Sequence, residues 1–229
     1  MSRHVLDLGT TTAALVVRRN PRARRVSLRI ATAGDEVVVV LPGRARAEDA
    51  LAIATAHATW IRERLAAVPR RVPLVDGAVL PVHGRLLRVL HDEAARPGVR
   101  LDGDELRVGG KGEPGARLEA WLRREARRII EGAIAEPARR LGRSPSGIVI
   151  RDTRSRWGSC SASGALSFSW RLVLAPPEVL SYVIVHEIAH LVHRGHGPEF
   201  WRTVGELAGD VSQARKWLRS HGQSLFRYG

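Results

Sequence analysis

The sequence predicts an α+β protein, with a basic, strand-rich N-terminal half and a C-terminal half built around a buried helix. Short β-branched runs separated by turn residues dominate residues 1–112 and are typical of strands. An amphipathic pattern at residues 116–141 then predicts a long surface helix. Residues 177–193 are apolar on nearly every side, which indicates a helix in the interior.

The N-terminal half is predicted to contain several short strands and one helix. The first three strands are predicted at residues 14–17, 26–30 and 36–41. A helix follows, because apolar side chains recur at helical spacing: Leu51, Ala54, Ala58, Ile61 and Leu65. Two strand-like stretches complete this half, at residues 79–91 and 99–108, with an Asp-Gly-Asp turn inside the second. No internal repeat is visible.

The segment Lys111–Gly115 is the best predicted boundary, because it combines glycine and proline between two periodic regions. It divides the chain into residues 1–112 and 113–229. Beyond it, strands are predicted at residues 148–150 and 166–172. In the second of these, apolar and polar residues alternate, so that one face is expected to be buried.

The buried helix is predicted to begin at Pro177, since proline suits the first turn of a helix. It is expected to run to about His193. Further helices are predicted to begin at Pro198 and at Asp210.

The chain carries a strong positive charge. Lys and Arg number 37 against 23 Asp and Glu, which gives a formal net charge of +14. An arginine-favouring codon composition would explain this bias without any function, whereas a polyanionic partner is the functional explanation, because arginine binds phosphate bidentately. Arg22, Arg24 and Arg25 follow an Asn-Pro turn with no acid among them, and they form the candidate site for nucleic acid or a nucleotide.

The composition also bears on location. No apolar run approaches the roughly 20 residues that cross a bilayer, and the N-terminus lacks the apolar core of a secretion signal. The single cysteine, Cys160, allows no internal disulfide, which is usual in reducing compartments. We therefore expect a cytoplasmic protein without membrane association.

The most informative segment is His186-Glu187-Ile188-Ala189-His190, an H-E-x-x-H pattern inside the predicted buried helix. Residues four apart project from one helix face about 6 Å apart along the axis, so both imidazoles can bind one metal ion. Glu187 lies one position round the helix, beside the metal, where it can accept a proton from an activated water. Two histidines and a glutamate would be costly to bury without a partner, which favours a metal site.

A catalytic zinc ion usually takes three protein ligands and leaves one position for water, so a third ligand is expected downstream. His193 shares the helix face but lies about 10.5 Å along the axis from the first histidine, too far for one ion. His196 follows Gly195, where the chain can reverse, and is the favoured candidate. The carboxylates of Glu199 and Glu206 remain the alternatives.

Several segments together resemble the YgjP-like metallopeptidases, a zincin group related to the SprT-like and WLM proteins. They are Arg154-Ser155-Arg156-Trp157-Gly158-Ser159-Cys160-Ser161, Trp170-Arg171-Leu172, Tyr182 to His190, and His196 to Trp201. The resemblance extends over roughly residues 13–220. It implies a zincin-like C-terminal half, zinc bound by His186, His190 and His196, Glu187 as general base, and peptides as substrates.

The R-W-G-S-C segment precedes the buried helix, and zincins commonly line the substrate groove with a strand in that position. Arg154, Arg156 and Trp157 are therefore candidate substrate-binding residues, and an arginine among them could stabilise a developing oxyanion. The alternative is that they brace the loop. Cys160 is expected to be a small buried hydrophobic side chain rather than a nucleophile or a ligand.

The sequence thus predicts a zinc-dependent hydrolase that cleaves peptide bonds with activated water and a glutamate general base. One alternative is a metal-dependent hydrolase of nucleotide phosphoanhydrides, with arginines holding the nucleotide. Another is a zinc-containing nucleic-acid-binding module without catalysis. The last would need four protein ligands, because structural zinc sites have no open position.

Overall fold

In the computed structural model the chain divides into two compact units, residues 1–70 and 71–229. The structure describes residues 2–9, 11–31, 36–67, 71–153 and 156–229. The division falls well before the predicted boundary at residue 112. The reason is that the strands before this boundary share a hydrophobic core with the helix after it, through Leu80, Leu87, Leu106, Leu118 and Leu122.

The first unit contains a four-stranded sheet and two helices. They are β1 (Ser2–Asp7), β2 (Thr12–Asn20), β3 (Ser27–Ile30), β4 (Glu36–Pro42), α1 (Ala47–Ala56) and α2 (Ala58–Ala67). The strand order is β1-β2-β4-β3, in which β2 and β4 are parallel and the other pairs are antiparallel. The three predicted strands correspond to β2, β3 and β4. β1 has no predicted counterpart, because a single buried side chain, Leu6, gives it no alternating pattern.

The core of the first unit lies between one face of the sheet and the two helices. Side chains alternate along a strand, so every second residue of β2 and β4 faces this core: Leu15, Val17, Val37, Val39 and Leu41. The helices contribute Ala50, Ala54 and Ile61. The predicted single helix is divided in two, because α1 is capped at His57, whose backbone is not helical (φ −104°, ψ 18°).

The second unit begins with a sheet of the same topology. Its strands are β5 (Val79–Val82), β6 (Arg85–Asp92), β7 (Gly98–Asp102) and β8 (Glu105–Gly109). The order is β5-β6-β8-β7, and again the second and fourth strands are parallel while the other pairs are antiparallel. The sequence shows no such repeat, because strand pairing is made by backbone hydrogen bonds, whatever the side chains are.

The remainder of the second unit is mostly helical. Its elements are α3 (Gly115–Leu141), β9 (Gly147–Arg151), β10 (Gly158–Cys160), β11 (Ala165–Ser169), α4 (Pro177–Ala189), α5 (Pro198–Ala208) and α6 (Ser212–His221), with short 3-10 helices at Trp170–Leu174 and Gly222–Arg227. A three-stranded sheet has the order β10-β11-β9, with β10 at its edge. None of the helices in the described part of the chain is long and apolar enough to span a membrane.

The helices of the second unit surround one core. α3 contributes a stripe at helical spacing, which confirms its predicted amphipathic pattern: Leu118, Leu122, Ala126, Ile130 and Ile134. α3 contains Pro137 and continues through it to Leu141. α4 is buried along nearly its whole length, as predicted, through Val179, Leu180, Val183, Ile184 and Ile188.

Two predicted ends differ in the structure. The alternating stretch 166–172 is a strand only to Ser169 and continues as a 3-10 helix, although its apolar residues are buried as predicted. The buried helix ends at Ala189 instead of about His193. Its final backbone bonds tighten to three-residue spacing, with the amide of Leu191 donating to the carbonyl of Ile188 at 2.9 Å.

Candidate metal centre

The end of α4 and the loop after it bring three histidines together. His186 lies in the last turn of α4, His190 directly follows the helix, and His196 precedes α5. Phe200 lies in the first turn of α5 and is 1 % exposed, so its buried side chain holds the start of this helix in place. Its ring packs against all three imidazoles, with centroid distances of 4.6 to 4.9 Å.

The spacing of these imidazoles suits a shared ion. Their candidate ligand atoms all lie within 4.8 Å of one another. The Nε2 atoms of His186 and His196 are 3.1 Å apart. Two nitrogens that each lie 2.0–2.1 Å from one tetrahedral zinc ion would be about 3.3 Å apart. The donor atoms present therefore fit a zinc ion.

The protonation of the rings also favours metal binding. Burial, with smaller contributions from the neighbouring imidazoles and Arg215, lowers the pKa of His186 to about 4. Burial likewise lowers the pKa of His190. Both rings are thus neutral at pH 7, the form that binds metal ions. The Nδ1–H of His190 donates to the main-chain carbonyl of His193 at 2.8 Å, which leaves Nε2 as the lone-pair donor.

The other candidate ligands lie outside this cluster. The ring of His193 contacts the Thr203 hydroxyl of α5, with Nε2 3.0 Å from Oγ1. Glu199 and Glu206 are exposed and face Arg202, Glu199 in a direct ion pair and Glu206 at 3.7 Å. Among the described residues, the three histidines form the one group of three or more potential ligands. This geometry favours His196 over either carboxylate as the third ligand.

Glu187 lies beside the cluster in a buried position, 5 % exposed. Burial raises the pKa of its carboxyl to about 7, while the positive charge of Arg156 opposes the rise. Gly158 of β10 lies directly against this side chain, because a Cβ added there would be 2.5 Å from Oε1 of Glu187. Glycine in the R-W-G-S-C segment therefore makes room for the carboxyl. A carboxyl that titrates near neutrality can act as a general base.

The predicted substrate-binding residues of this segment have different surroundings. Arg154 lies outside the described residues. Arg156 is exposed, and its charge reaches Glu187. Trp157 stacks on Phe226 near the C-terminus at 4.8 Å between ring centroids, which gives it a packing contact. Contacts of these residues with a substrate stay a prediction.

Cys160 packs at the edge of the core as a structural side chain, although it is only partly buried where full burial was expected. Burial raises the pKa of its thiol, and the charge of Glu187 raises it further. The thiol is therefore protonated at neutral pH, which does not favour a nucleophile.

The structure adds residues that the sequence analysis did not place at the site. The hydroxyl of Tyr182 lies 3.4 Å from Nδ1 of His186. The ring of Trp201 is 5.9 Å from that of His186. The guanidinium of Arg215, from α6, lies over the ring of Trp201 at 4.0 Å from its centre. No sequence pattern marks Arg215, because it is one arginine among many and α6 reaches the site only through tertiary packing.

Comparison with known proteins identifies the family. Residues 24–221 match the model of a family described as YgjP-like, metallopeptidase domain. The match covers most of the chain and includes the three histidines and Glu187. The chain therefore belongs to the YgjP-like metallopeptidase family.

Two solved structures are similar to part of the chain. They are the crystal structures of two metallopeptidase zymogens, abylysin from Pyrococcus abyssi and jannalysin from Methanocaldococcus jannaschii. Each has 20% sequence identity and a TM-score of 0.36, and the alignments cover 41% and 40% of this chain and 93% and 94% of the respective structures. A comparison with curated proteins gives no significant match.

Proposed function

We propose that the chain is a zinc-dependent peptidase with a zincin-like C-terminal half. The observation that carries the proposal is the convergence of His186, His190 and His196 next to the buried carboxyl of Glu187. Membership of a metallopeptidase family supports the same reaction class.

The three histidines would hold the zinc ion. Three neutral imidazoles are a donor set typical of catalytic zinc, whereas structural zinc takes four protein ligands. Within the described residues the cluster has no fourth ligand group, which favours catalysis over a structural role. When bound, zinc would polarise the peptide carbonyl and make water nucleophilic near neutral pH.

Side chains of this protein would transfer the protons and position the reacting groups. Glu187 would accept the proton of the attacking water and pass it to the departing amine, and a pKa of about 7 suits both transfers. Gly158 would leave the space that the carboxyl occupies, because any larger side chain there would displace it. The hydroxyl of Tyr182 would orient the ring of His186 through Nδ1.

The test is turnover by the zinc-loaded protein on a mixed panel of peptides and nucleoside triphosphates, with Glu187→Gln as the matched variant. We expect peptide cleavage that falls about 10² to 10⁴-fold in the variant while zinc is retained. Unchanged peptide turnover in the variant would exclude Glu187 as the base. Hydrolysis of nucleotides alone would favour a phosphoanhydride hydrolase, and no turnover with a fourth protein ligand found by spectroscopy would favour a structural zinc.

A further inference from the structure

Arg215, on α6, holds a positive charge close to the three histidines. Its guanidinium carbon lies 4.0 Å from the ring centre of Trp201. That tryptophan is 5.9 Å from the ring of His186 and 6.0 Å from the ring of His196. The guanidinium and two of the three imidazoles therefore lie near the same aromatic side chain.

The surroundings of Arg215 leave its charge uncompensated. Burial and the charge of Glu187 raise the pKa of Tyr182, while the charge of Arg215 and a hydrogen bond with its side chain oppose the rise, so the second neighbour of Arg215 is a neutral phenol. No carboxylate forms an ion pair with Arg215 within the described ranges of the chain. Arg202 of α5 shows the contrast, since two carboxylates of its own helix face it.

We propose that the guanidinium of Arg215 binds a carboxylate of the peptide substrate next to the bond that is cleaved. A guanidinium presents two parallel N–H donors that match the two oxygens of a carboxylate. Stacking on Trp201 restrains the guanidinium before binding, so that less side-chain freedom is lost when a substrate arrives. The inference rests on the proposed peptidase function and adds to it a preference for acidic peptides over neutral ones.

The carboxylate has two possible sources, an Asp or Glu side chain or the C-terminus of a short peptide. Two kinds of probe pairs separate them. In the first, peptides differ only by Glu or Gln at the residues that flank the cleaved bond. In the second, peptides end in a free acid or in an amide.

Binding is measured by calorimetric titration into zinc-loaded Glu187→Gln protein, which separates recognition from turnover. We expect the acidic member of at least one pair to bind on the order of 10-fold tighter than the neutral member. Adding Arg215→Ala should abolish this preference. Adding Arg215→Lys should keep only part of the preference, because lysine carries the charge but lacks the two parallel N–H donors of a guanidinium.

Arg219→Ala is the matched control, because Arg219 is an exposed arginine one turn further along α6. This variant should keep the full preference. Zinc content and circular dichroism, measured on every variant, should be unchanged, since Arg215 is itself exposed.

Equal or undetectable binding of both members in every pair would overturn the inference, as would a preference that survives Arg215→Ala. A preference that depends on Arg215, without any peptide cleavage by the protein that retains Glu187, would uphold a carboxylate-binding site at Arg215 but overturn the peptidase function and, with it, a role of this site in cleavage. Cleavage of peptides with no acidic preference would uphold the function and overturn the inference.

Discussion

α4 and the connection between β2 and β3 place their charged side chains in opposite environments. In α4, Glu187 is 5 % exposed and is surrounded by buried apolar residues. In the connection, Arg22, Arg24 and Arg25 are all exposed. A charge in water costs nothing to keep, whereas a buried carboxyl must be neutralised or paired. A polar residue inside α4 is therefore stronger evidence of function than a cluster of charges at the surface.

The largest expected effect is the loss of zinc on substitution of the histidines at the end of α4. His186→Ala and His190→Ala should each abolish stable zinc binding, because two imidazoles alone hold zinc poorly. Elemental analysis after dialysis should give about one zinc ion per chain for the unchanged protein and almost none for these variants. His193→Ala is the control and should retain zinc, because the carbonyl that accepts the hydrogen bond from His190 belongs to the main chain. Full zinc content in either of the first two variants would show that this histidine does not bind the metal, and the buried residues of α4 would then be no better evidence of function than the exposed arginines.

His196 tests the third position by the same measurement. His196→Ala should release zinc, since its Nε2 lies 3.1 Å from that of His186. Glu199→Ala and Glu206→Ala should retain the metal, because both carboxylates face Arg202. Release of zinc from one of these carboxylate variants, with retention in His196→Ala, would assign the third ligand to a carboxylate.

Gly158→Ala should lower peptide turnover by about 100-fold while zinc stays bound. The added methyl would be 2.5 Å from Oε1 of Glu187, so the carboxyl must move, and small displacements of catalytic groups are expensive. Gly147→Ala, in β9 of the same sheet, is the control, because a Cβ there has nothing within 4 Å. Equal turnover by the two variants would mean that activity does not depend on the position of the Glu187 carboxyl that Gly158 permits.

Arg171→Met compares a buried arginine with the exposed ones. The side chain of Arg171 is 8% exposed, pairs with Asp152 and lies over the ring of Trp170 at 4.3 Å. Its loss should lower the free energy of unfolding by about 2 kcal/mol, less than for a fully buried pair because Asp152 is partly exposed. Urea denaturation measures this change. Arg139→Met, at an exposed pair on α3, should leave the midpoint unchanged, and a similar loss in both variants would contradict the assignment to burial.

The smallest effect is expected for the triple variant of Arg22, Arg24 and Arg25 to Ala. If exposure leaves these charges without a role, salt titrations of polyanion binding should overlay those of the unchanged protein. If they bind phosphates, the log–log slope should fall by about 0.7 to 0.9 for each lost contact. A reduced slope would show that the three exposed arginines bind phosphate, and exposure would then no longer separate them from the functional residues of α4.

The sequence predicted those features that local chemistry determines. The alternation of apolar residues in 166–172 predicted their burial. The four-residue spacing of His186 and His190 predicted that these two would share a metal ion, and the glycine before His196 favoured the return of that histidine to them. These signals are local because side-chain direction follows directly from helical or strand periodicity.

Other features depend on contacts between distant segments and have no local signature. The division after residue 70 reflects which strands share a core with α3, and the positions of Arg215 and Gly158 beside the site reflect the docking of α6 and β10 onto α4. The order of strands in both four-stranded sheets is equally non-local, since parallel neighbours are joined through an intervening strand.

That strand order constrains how the chain folds while it is synthesised. In each four-stranded sheet the strand that comes last in sequence, β4 or β8, lies between two strands that come before it. Residues leave the ribosome from the N-terminus, so β3 and β7 emerge before their only partner exists. The antiparallel pairs β1–β2 and β5–β6 can form early, but each sheet closes only when residue 42 or residue 109 has emerged. The growing chain therefore carries an unpaired strand twice, at the stages when chaperones can bind it.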